Sequence, residues 1–137
     1  MGHGIAQAFA QAGYQVSMMS RTQKTLDRAR SLIETSLSTL VQEGILDPRL
    51  VPTTLSRITP TTSIQEAAQD ADIAFETMVE DKEAKKTVFS QLDAYCPPRA
   101  LLARNSTYIN IFEFVETSRP DMGLIGHWYA PLKSFPW

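Results

Sequence analysis

Imidazole, amide and hydroxyl side chains in the last third of the chain are well suited to proton transfer and to hydrogen bonding with a substrate. His127 stands in the segment GHWYAP, and an imidazole suits proton transfer near neutral pH. Asn105 and Thr107 stand in the segment ARNST, followed by the phenol of Tyr108, and such groups can donate hydrogen bonds that polarise a carbonyl. We therefore predict four catalytic residues: His127, Asn105, Thr107 and Tyr108.

The first stretch of the chain, MGHGIAQAFAQAG, has the features of a phosphate-binding helix. Apolar residues recur at helical spacing behind Gly2 and Gly4, and Gly13 marks a helix end. The segment YQVSMMS then predicts a strand over 14–20. A glycine-led helix before a buried strand is the second half of a dinucleotide-binding βαβ unit, whose helix N-terminus holds a pyrophosphate.

Helices and strands that alternate along the rest of the chain must position these groups. The apolar stripe of Leu26, Ile33 and Leu37 predicts a long amphipathic helix over 22–43. Val88, Leu92 and Tyr95 are predicted as the inner face of a helix over 81–95. The remaining predicted elements are strands over 55–59, 73–79, 100–103 and 123–129 and helices over 63–69 and 109–117. This alternation predicts an α/β fold with a mostly parallel sheet, in a single domain over 1–137.

Taken together, the segments of this chain resemble a known family. MGHGIAQAFAQAGYQV is similar to the NAD-binding domain of 3-hydroxyacyl-CoA dehydrogenases, and LVQEGIL, RITPTTSIQEAAQDADIAFETMVED, KKTVFSQLD, ARNST and GHWYAP agree with it in the same order. The resemblance implies a Rossmann-like fold whose first strand would precede Met1 and whose helical C-terminal domain would follow Trp137. We therefore expect a truncated domain lacking that usual first strand and that helical domain, with unpaired edges on the strands over 14–20 and 73–79.

The resemblance also implies roles for the chemical residues. It makes His127 the base that takes the hydroxyl proton of the substrate, and it makes Thr107 the hydroxyl that contacts the substrate oxygen. The family's orienting glutamate would lie beyond Trp137. Arg104 and Tyr108 replace small residues of the family, so two bulky polar groups stand where the family contacts its substrate.

Nucleotide binding, where present, would involve five residues: Gly2, Gly4, Ser20, Arg21 and Glu76. Ser20 stands where the family has an acid that binds the adenosine ribose, and Arg21 would suit a 2'-phosphate, which favours NADP over NAD. The resemblance puts Glu76 near the nicotinamide edge. Because elements that serve the cofactor, the base and the substrate are missing together, we expect no cofactor.

Three functions remain open at this point. The first is a scaffold repurposed for cofactor-independent, non-redox conversion of a hydrophobic small molecule, by cyclisation, cycloaddition or isomerisation. The second is an NAD(P)-dependent 3-hydroxyacyl-CoA dehydrogenase, or a fragment of one. The third is a non-catalytic binding or interaction protein.

Bulk properties limit the partners of the chain. A net charge of -2 without runs of like charge gives no electrostatic footprint for nucleic acid or an anionic membrane. The single cysteine, Cys96, excludes an internal disulfide and a cysteine cluster for a metal. We expect a cytoplasmic protein without a metal site. Because the missing strand would expose an apolar sheet edge, we also expect a homodimer.

Overall fold

The structure, a computed structural model, describes residues 1–78, 81–105, 117–118, 120–126 and 128. The chain divides into two compact units, Met1–Ser63 with Trp128–Trp137 and Ile64–His127. Each unit combines parallel strands with helices, which confirms the predicted α/β class. The prediction of one domain over the whole chain stays a prediction.

The described residues of the first unit form a two-stranded parallel sheet and three helices. Its elements are α1 Gly2–Gln11, β1 Val16–Met19, α2 Gln23–Gln42, α3 Leu50–Ser56 and β2 Ile58–Thr61. Strands β1 and β2 pair in parallel, with Val16 opposite Ile58. The predicted stripe of α2 is confirmed, because Leu26, Ile33 and Leu37 are buried.

Local chemistry explains where the helices of the first unit begin and end. The Thr22 hydroxyl accepts from the Thr25 N–H at 3.3 Å, so Thr22 is the N-cap of α2. Gly13 and Gly44 have φ angles of 101° and 70°, which residues with a Cβ adopt at a cost. Both glycines follow a helix end, which confirms the helix end predicted at Gly13.

The predicted strand over 55–59 is wrong in its bounds. Helix α3 occupies Leu50–Ser56, and β2 begins only at Ile58. Pro52 lies in the first turn of α3, where a helix does not need the N–H that proline lacks. Pro60 lies inside β2 opposite Met18, a placement that an edge strand tolerates.

The second unit contains a three-stranded parallel sheet covered by helices. Its elements are α4 Ile64–Ala68, β3 Ile73–Glu76, α5 Lys82–Tyr95, β4 Leu101–Arg104, a short 3-10 helix Pro120–Met122 and β5 Gly123–Ile125. The strand order is β3-β4-β5. Its core is an apolar cluster from α4, α5, β4 and the connection between α5 and β4: Ala68, Phe89, Leu92, Cys96, Ala100 and Leu102.

The inner face of α5 differs in part from the prediction. Leu92 is buried as expected, but Tyr95 is 39% exposed. The buried positions are Lys85, Phe89 and Leu92, which follow the i, i+4, i+7 spacing of one helix face. The burial of a lysine on this face is the feature that the sequence pattern did not predict.

Other predicted elements are shorter than expected or fall outside the described residues. Strand β3 ends at Glu76 and β5 at Ile125, whereas the predicted helix over 109–117 lies almost wholly outside the described residues. Within the described ranges, β1 pairs with β2 and β3 pairs with β4. The expected open strand edges stay a prediction. No helix of the described part is long and apolar enough to span a membrane.

Candidate functional site

The carboxyl ends of β3 and β4 bring chemistry-bearing residues together in the second unit. Glu76 is the last residue of β3, and its partner across the ladder is Arg104, the last residue of β4. Asn105 follows directly, and its N–H donates to the Glu76 carbonyl at 2.8 Å. In open parallel sheets, ligands bind at the carboxyl ends of the strands. This edge is therefore the candidate functional site.

Glu76 and Lys85 form a buried ion pair at this edge. Lys85 Nζ donates to Glu76 Oε2 at 2.7 Å, and the two side chains are 0% and 1% exposed. The Met78 N–H donates to Glu76 Oε1, so both carboxylate oxygens accept a hydrogen bond. The Asp81 side chain accepts from the Ala84 N–H at 2.9 Å and begins α5. That N-cap fixes the helix turn from which Lys85 reaches the carboxylate.

Arg104 adds a second cation to the same face of the sheet. Side chains alternate along a strand, so Arg104 points to the side of Leu102, which packs with Phe89 of α5. Arg104 is 2% exposed, and its Nε and Nη1 have no hydrogen-bond partner among the described residues. With Glu76 and Lys85, the cluster carries a formal charge of +1. A buried guanidinium with two unpaired nitrogens is costly, so this arrangement favours an anion.

The predicted catalytic residues are only partly within the described structure. Asn105 lies at the carboxyl end of β4 and is half-buried. Three others, Thr107, Tyr108 and His127, lie outside the described residues, and their roles stay predictions. Sequence reasoning noted Arg104 as a replacement but missed its burial, and it missed Lys85. The helical spacing of Lys85 with Phe89 and Leu92 was the sequence signal that could have predicted the burial of Lys85.

The predicted nucleotide-binding residues of the first unit lie at element ends. Helix α1 begins at half-buried Gly2, has no acidic residue in its first turn, and makes its first backbone bond from the Gly4 N–H to the Met1 carbonyl at 2.9 Å. Ser20 follows β1, and its N–H donates to the Thr61 carbonyl at 3.2 Å, whereas Arg21 is exposed. A helix N-terminus without acidic side chains suits a phosphate.

His3 lies in the first turn of α1. Partial burial and the nearby α-ammonium of Met1 hold its pKa below the usual 6.5. Both effects favour the neutral imidazole, because each of them raises the free energy of the charged ring. The side chain therefore adds little positive charge at neutral pH.

Two other kinds of site have little support in the described residues. A cavity between α2 and the first sheet, lined by Met18, Leu26 and Ile58 among others, has a volume of about 90 Å³. Pockets for small-molecule ligands measure roughly 300–1,000 Å³, so this one is too small for a hydrophobic substrate. Nor do the described ranges contain three histidine, cysteine or acidic residues grouped to hold a metal ion.

Comparison with known proteins identifies what the chain is similar to. The family model "3-hydroxyacyl-CoA dehydrogenase, NAD binding domain" matches residues 1–137. The 3-hydroxybutyryl-CoA dehydrogenase of Clostridioides difficile is 35% identical over 133 residues, and a probable 3-hydroxybutyryl-CoA dehydrogenase of Deinococcus radiodurans is 37% identical over 133 residues. Each alignment covers 96% of this chain and 47% of the relative. The chain therefore spans about half the length of these relatives.

A solved structure agrees with the sequence comparison. The crystal structure of 3-hydroxybutyryl-CoA dehydrogenase from Escherichia coli superposes with a TM-score of 0.92 at 34% identity. The match covers 98% of this chain and 28% of that one. The expected Rossmann-like fold and the resemblance stated from the sequence are thereby confirmed.

The same comparisons contradict two predictions. We expected a cofactor-independent, non-redox conversion by cyclisation, cycloaddition or isomerisation, and we expected no cofactor. The matched family model describes an NAD-binding domain, and the relatives are named as dehydrogenases. Both predictions are therefore wrong, and the dehydrogenase alternative fits better. The error arose because the absence of expected segments was given more weight than the residues that match the family.

Proposed function

Because the chain belongs to the family of 3-hydroxyacyl-CoA dehydrogenase NAD-binding domains, we propose that it binds NAD and serves as the nucleotide-binding part of such a dehydrogenase. The observation that carries this proposal is the match of the family model to residues 1–137. Relatives named 3-hydroxybutyryl-CoA dehydrogenases support a short 3-hydroxyacyl-CoA as the substrate.

The residues of the first unit fit a dinucleotide. The α1 N-terminus at Gly2 offers backbone N–H groups and the positive end of a helix dipole to a pyrophosphate. Ser20 follows β1 at the position proposed for the adenosine ribose, where its hydroxyl can donate or accept a hydrogen bond. The exposed guanidinium of Arg21 lies next to it. We assign NAD from the family and test NADP beside it, because Arg21 also suits a 2'-phosphate.

The substrate chemistry is an alcohol oxidation. NAD, when bound, supplies the acceptor for the hydride that leaves the C3 carbon of the substrate with its electron pair. His127 takes the proton of the C3 hydroxyl, so that the carbon–oxygen bond becomes a carbonyl. Asn105 and Thr107 donate hydrogen bonds to that oxygen, and Tyr108 supplies a further hydroxyl beside them in the sequence.

The proposal is tested by turnover in the reverse direction, with acetoacetyl-CoA and NADH as substrates. We expect His127→Gln to lower kcat by a factor of roughly 10²–10⁴, which is the usual contribution of a general acid or base to the rate. The Kd for NADH serves as the matched control, because the substitution removes a proton carrier and leaves the nucleotide contacts in place. Wild-type turnover by His127→Gln would remove the assigned base, and wild-type protein that binds neither NADH nor NADPH would contradict the proposed function.

We further propose that the chain forms a homodimer. Strand β1 has one hydrogen-bonded neighbour among the described residues, β2, and an open strand edge favours pairing with another chain. Light scattering across the micromolar range is the test. A constant mass of 15.3 kDa over that range would exclude the dimer.

A further inference from the structure

Among the described charged residues of the second unit, Arg104 is the one with buried side-chain nitrogens that lack hydrogen-bond partners. Its side chain is among the largest fully buried ones of the described residues, and its Nε and Nη1 have no hydrogen-bond partner there. A guanidinium keeps its charge throughout the physiological pH range, so it cannot relieve this burial by losing a proton. An anion that accepts hydrogen bonds from the guanidinium would compensate for this burial.

The neighbouring carboxylate of Glu76 does not accept these hydrogen bonds. Glu76 lies directly across the β3–β4 ladder from Arg104, yet its two oxygens accept from Lys85 Nζ and from the Met78 N–H. The three charged side chains of the cluster leave one positive charge in excess. The position of this excess charge is the carboxyl end of two parallel strands, where ligands of such sheets bind.

We propose that Arg104 anchors an anion subsite that takes a carboxylate or phosphate group of the ligand at the carboxyl ends of β3 and β4. The planar fork of arginine matches both groups, because its parallel N–H donors can bind two oxygens at once. The inference rests on the proposed function for the identity of the ligand. The acyl chain could carry a carboxylate, and the nucleotide or coenzyme A carries phosphates.

Arg104→Met is the variant that tests the subsite, because it keeps an unbranched side chain and removes the charge. Arg99→Met is its matched control, since Arg99 lies in the same unit but is 71% exposed and pairs with Asp72 at 3.1 Å. Arg104→Lys keeps the charge without the fork and provides a second variant. Far-UV circular dichroism of each variant checks that the fold is retained.

The experiment is a calorimetric titration of the whole chain with glutarate and, separately, with inorganic phosphate. We expect wild type and Arg99→Met to bind at least one of the two probes, and Arg104→Met to bind it about tenfold more weakly or not at all. We expect Arg104→Lys to fall between them. Binding of glutarate alone indicates a carboxylate on the acyl chain, whereas binding of phosphate alone indicates the nucleotide or coenzyme A.

Two results would overturn the subsite: no binding of either probe to wild type, or equal affinities in wild type and Arg104→Met. A titration with NADH on the same samples separates this inference from the proposed function. NADH binding without an Arg104-dependent anion effect overturns the subsite and leaves the dehydrogenase proposal in place. Anion binding through Arg104 without NADH binding supports the subsite and contradicts the proposed cofactor.

Discussion

Replacing Lys85 by methionine removes one partner of the buried ion pair with Glu76. The two side chains are 0% and 1% exposed and 2.7 Å apart, so water cannot replace the lost ammonium. Breaking such a pair costs about 3–5 kcal/mol of stability, because the remaining charge stays buried without compensation. In the absence of any other cation, Lys85→Met would lose that full amount.

Arg104 changes this expectation. It is opposite Glu76 in the neighbouring strand and on the same sheet face, where paired strands lie roughly 4.8 Å apart. With Nε and Nη1 available, its guanidinium can move onto the Glu76 oxygen that Lys85 vacates. We therefore expect Lys85→Met alone to cost only about 1–2 kcal/mol. The double variant, Lys85→Met with Arg104→Met, loses both cations and should cost the full ~3–5 kcal/mol.

Urea unfolding followed by far-UV circular dichroism measures these differences. With a slope of about 1–3 kcal/mol per molar urea, a loss of about 4 kcal/mol lowers the midpoint by roughly 2 M. Lys86→Met is the matched control, because Lys86 is exposed and pairs with Glu83 at 3.4 Å on the helix surface; we expect a change within about 0.5 kcal/mol. Equal losses in the single and double Lys85 variants would refute the proposed replacement by Arg104.

Two further predictions concern the first unit. Leu37→Ala, at a fully buried position of α2, should cost about 2–5 kcal/mol in urea unfolding, whereas Leu32→Ala on the same helix, at 42% exposure, should cost far less; equal losses would contradict the packing described for α2. The folded-state pKa of His3 lies below 6.5, so the unfolded chain binds the proton more readily and the contribution of His3 to stability is complete above pH 6.5 and falls as the pH drops below it. Proton NMR titration of the imidazole should give a midpoint below 6.5, and a midpoint at or above that value would contradict the burial of His3.

The elements that the sequence predicted well are those with strong local signals. The buried residues of α2 follow helical spacing, and the helix has a threonine N-cap and is followed by Gly44. Tertiary contacts therefore had little to change. Helix α3 was missed because its stretch of the sequence contains Pro48 and Pro52, and proline commonly interrupts a helix. In the fold, Pro52 occupies a first-turn position, where proline is compatible with a helix. Periodicity cannot tell a helix-breaking proline from a helix-starting one.

The candidate site was predicted only in part, for a different reason. Sequence shows that Lys85 and Arg104 are charged, but charge alone predicts exposure. Their burial follows from packing between β4 and α5, which joins residues distant in the chain. Asn105 and Glu76 were named because their segments resemble the family, and the structure places them together at the carboxyl ends of β4 and β3. The prediction of a non-redox function without a cofactor failed because it gave more weight to family segments outside this sequence than to the residues that match the family.

A calorimetric titration of the purified chain with NADH tests the proposed binding of NAD most directly. We predict a single binding transition with a Kd in the micromolar range, and weaker binding of NADPH. No heat of binding with either nucleotide up to millimolar concentration would contradict the claim. Tighter binding of NADPH would retain nucleotide binding and assign the 2'-phosphate to the exposed guanidinium of Arg21.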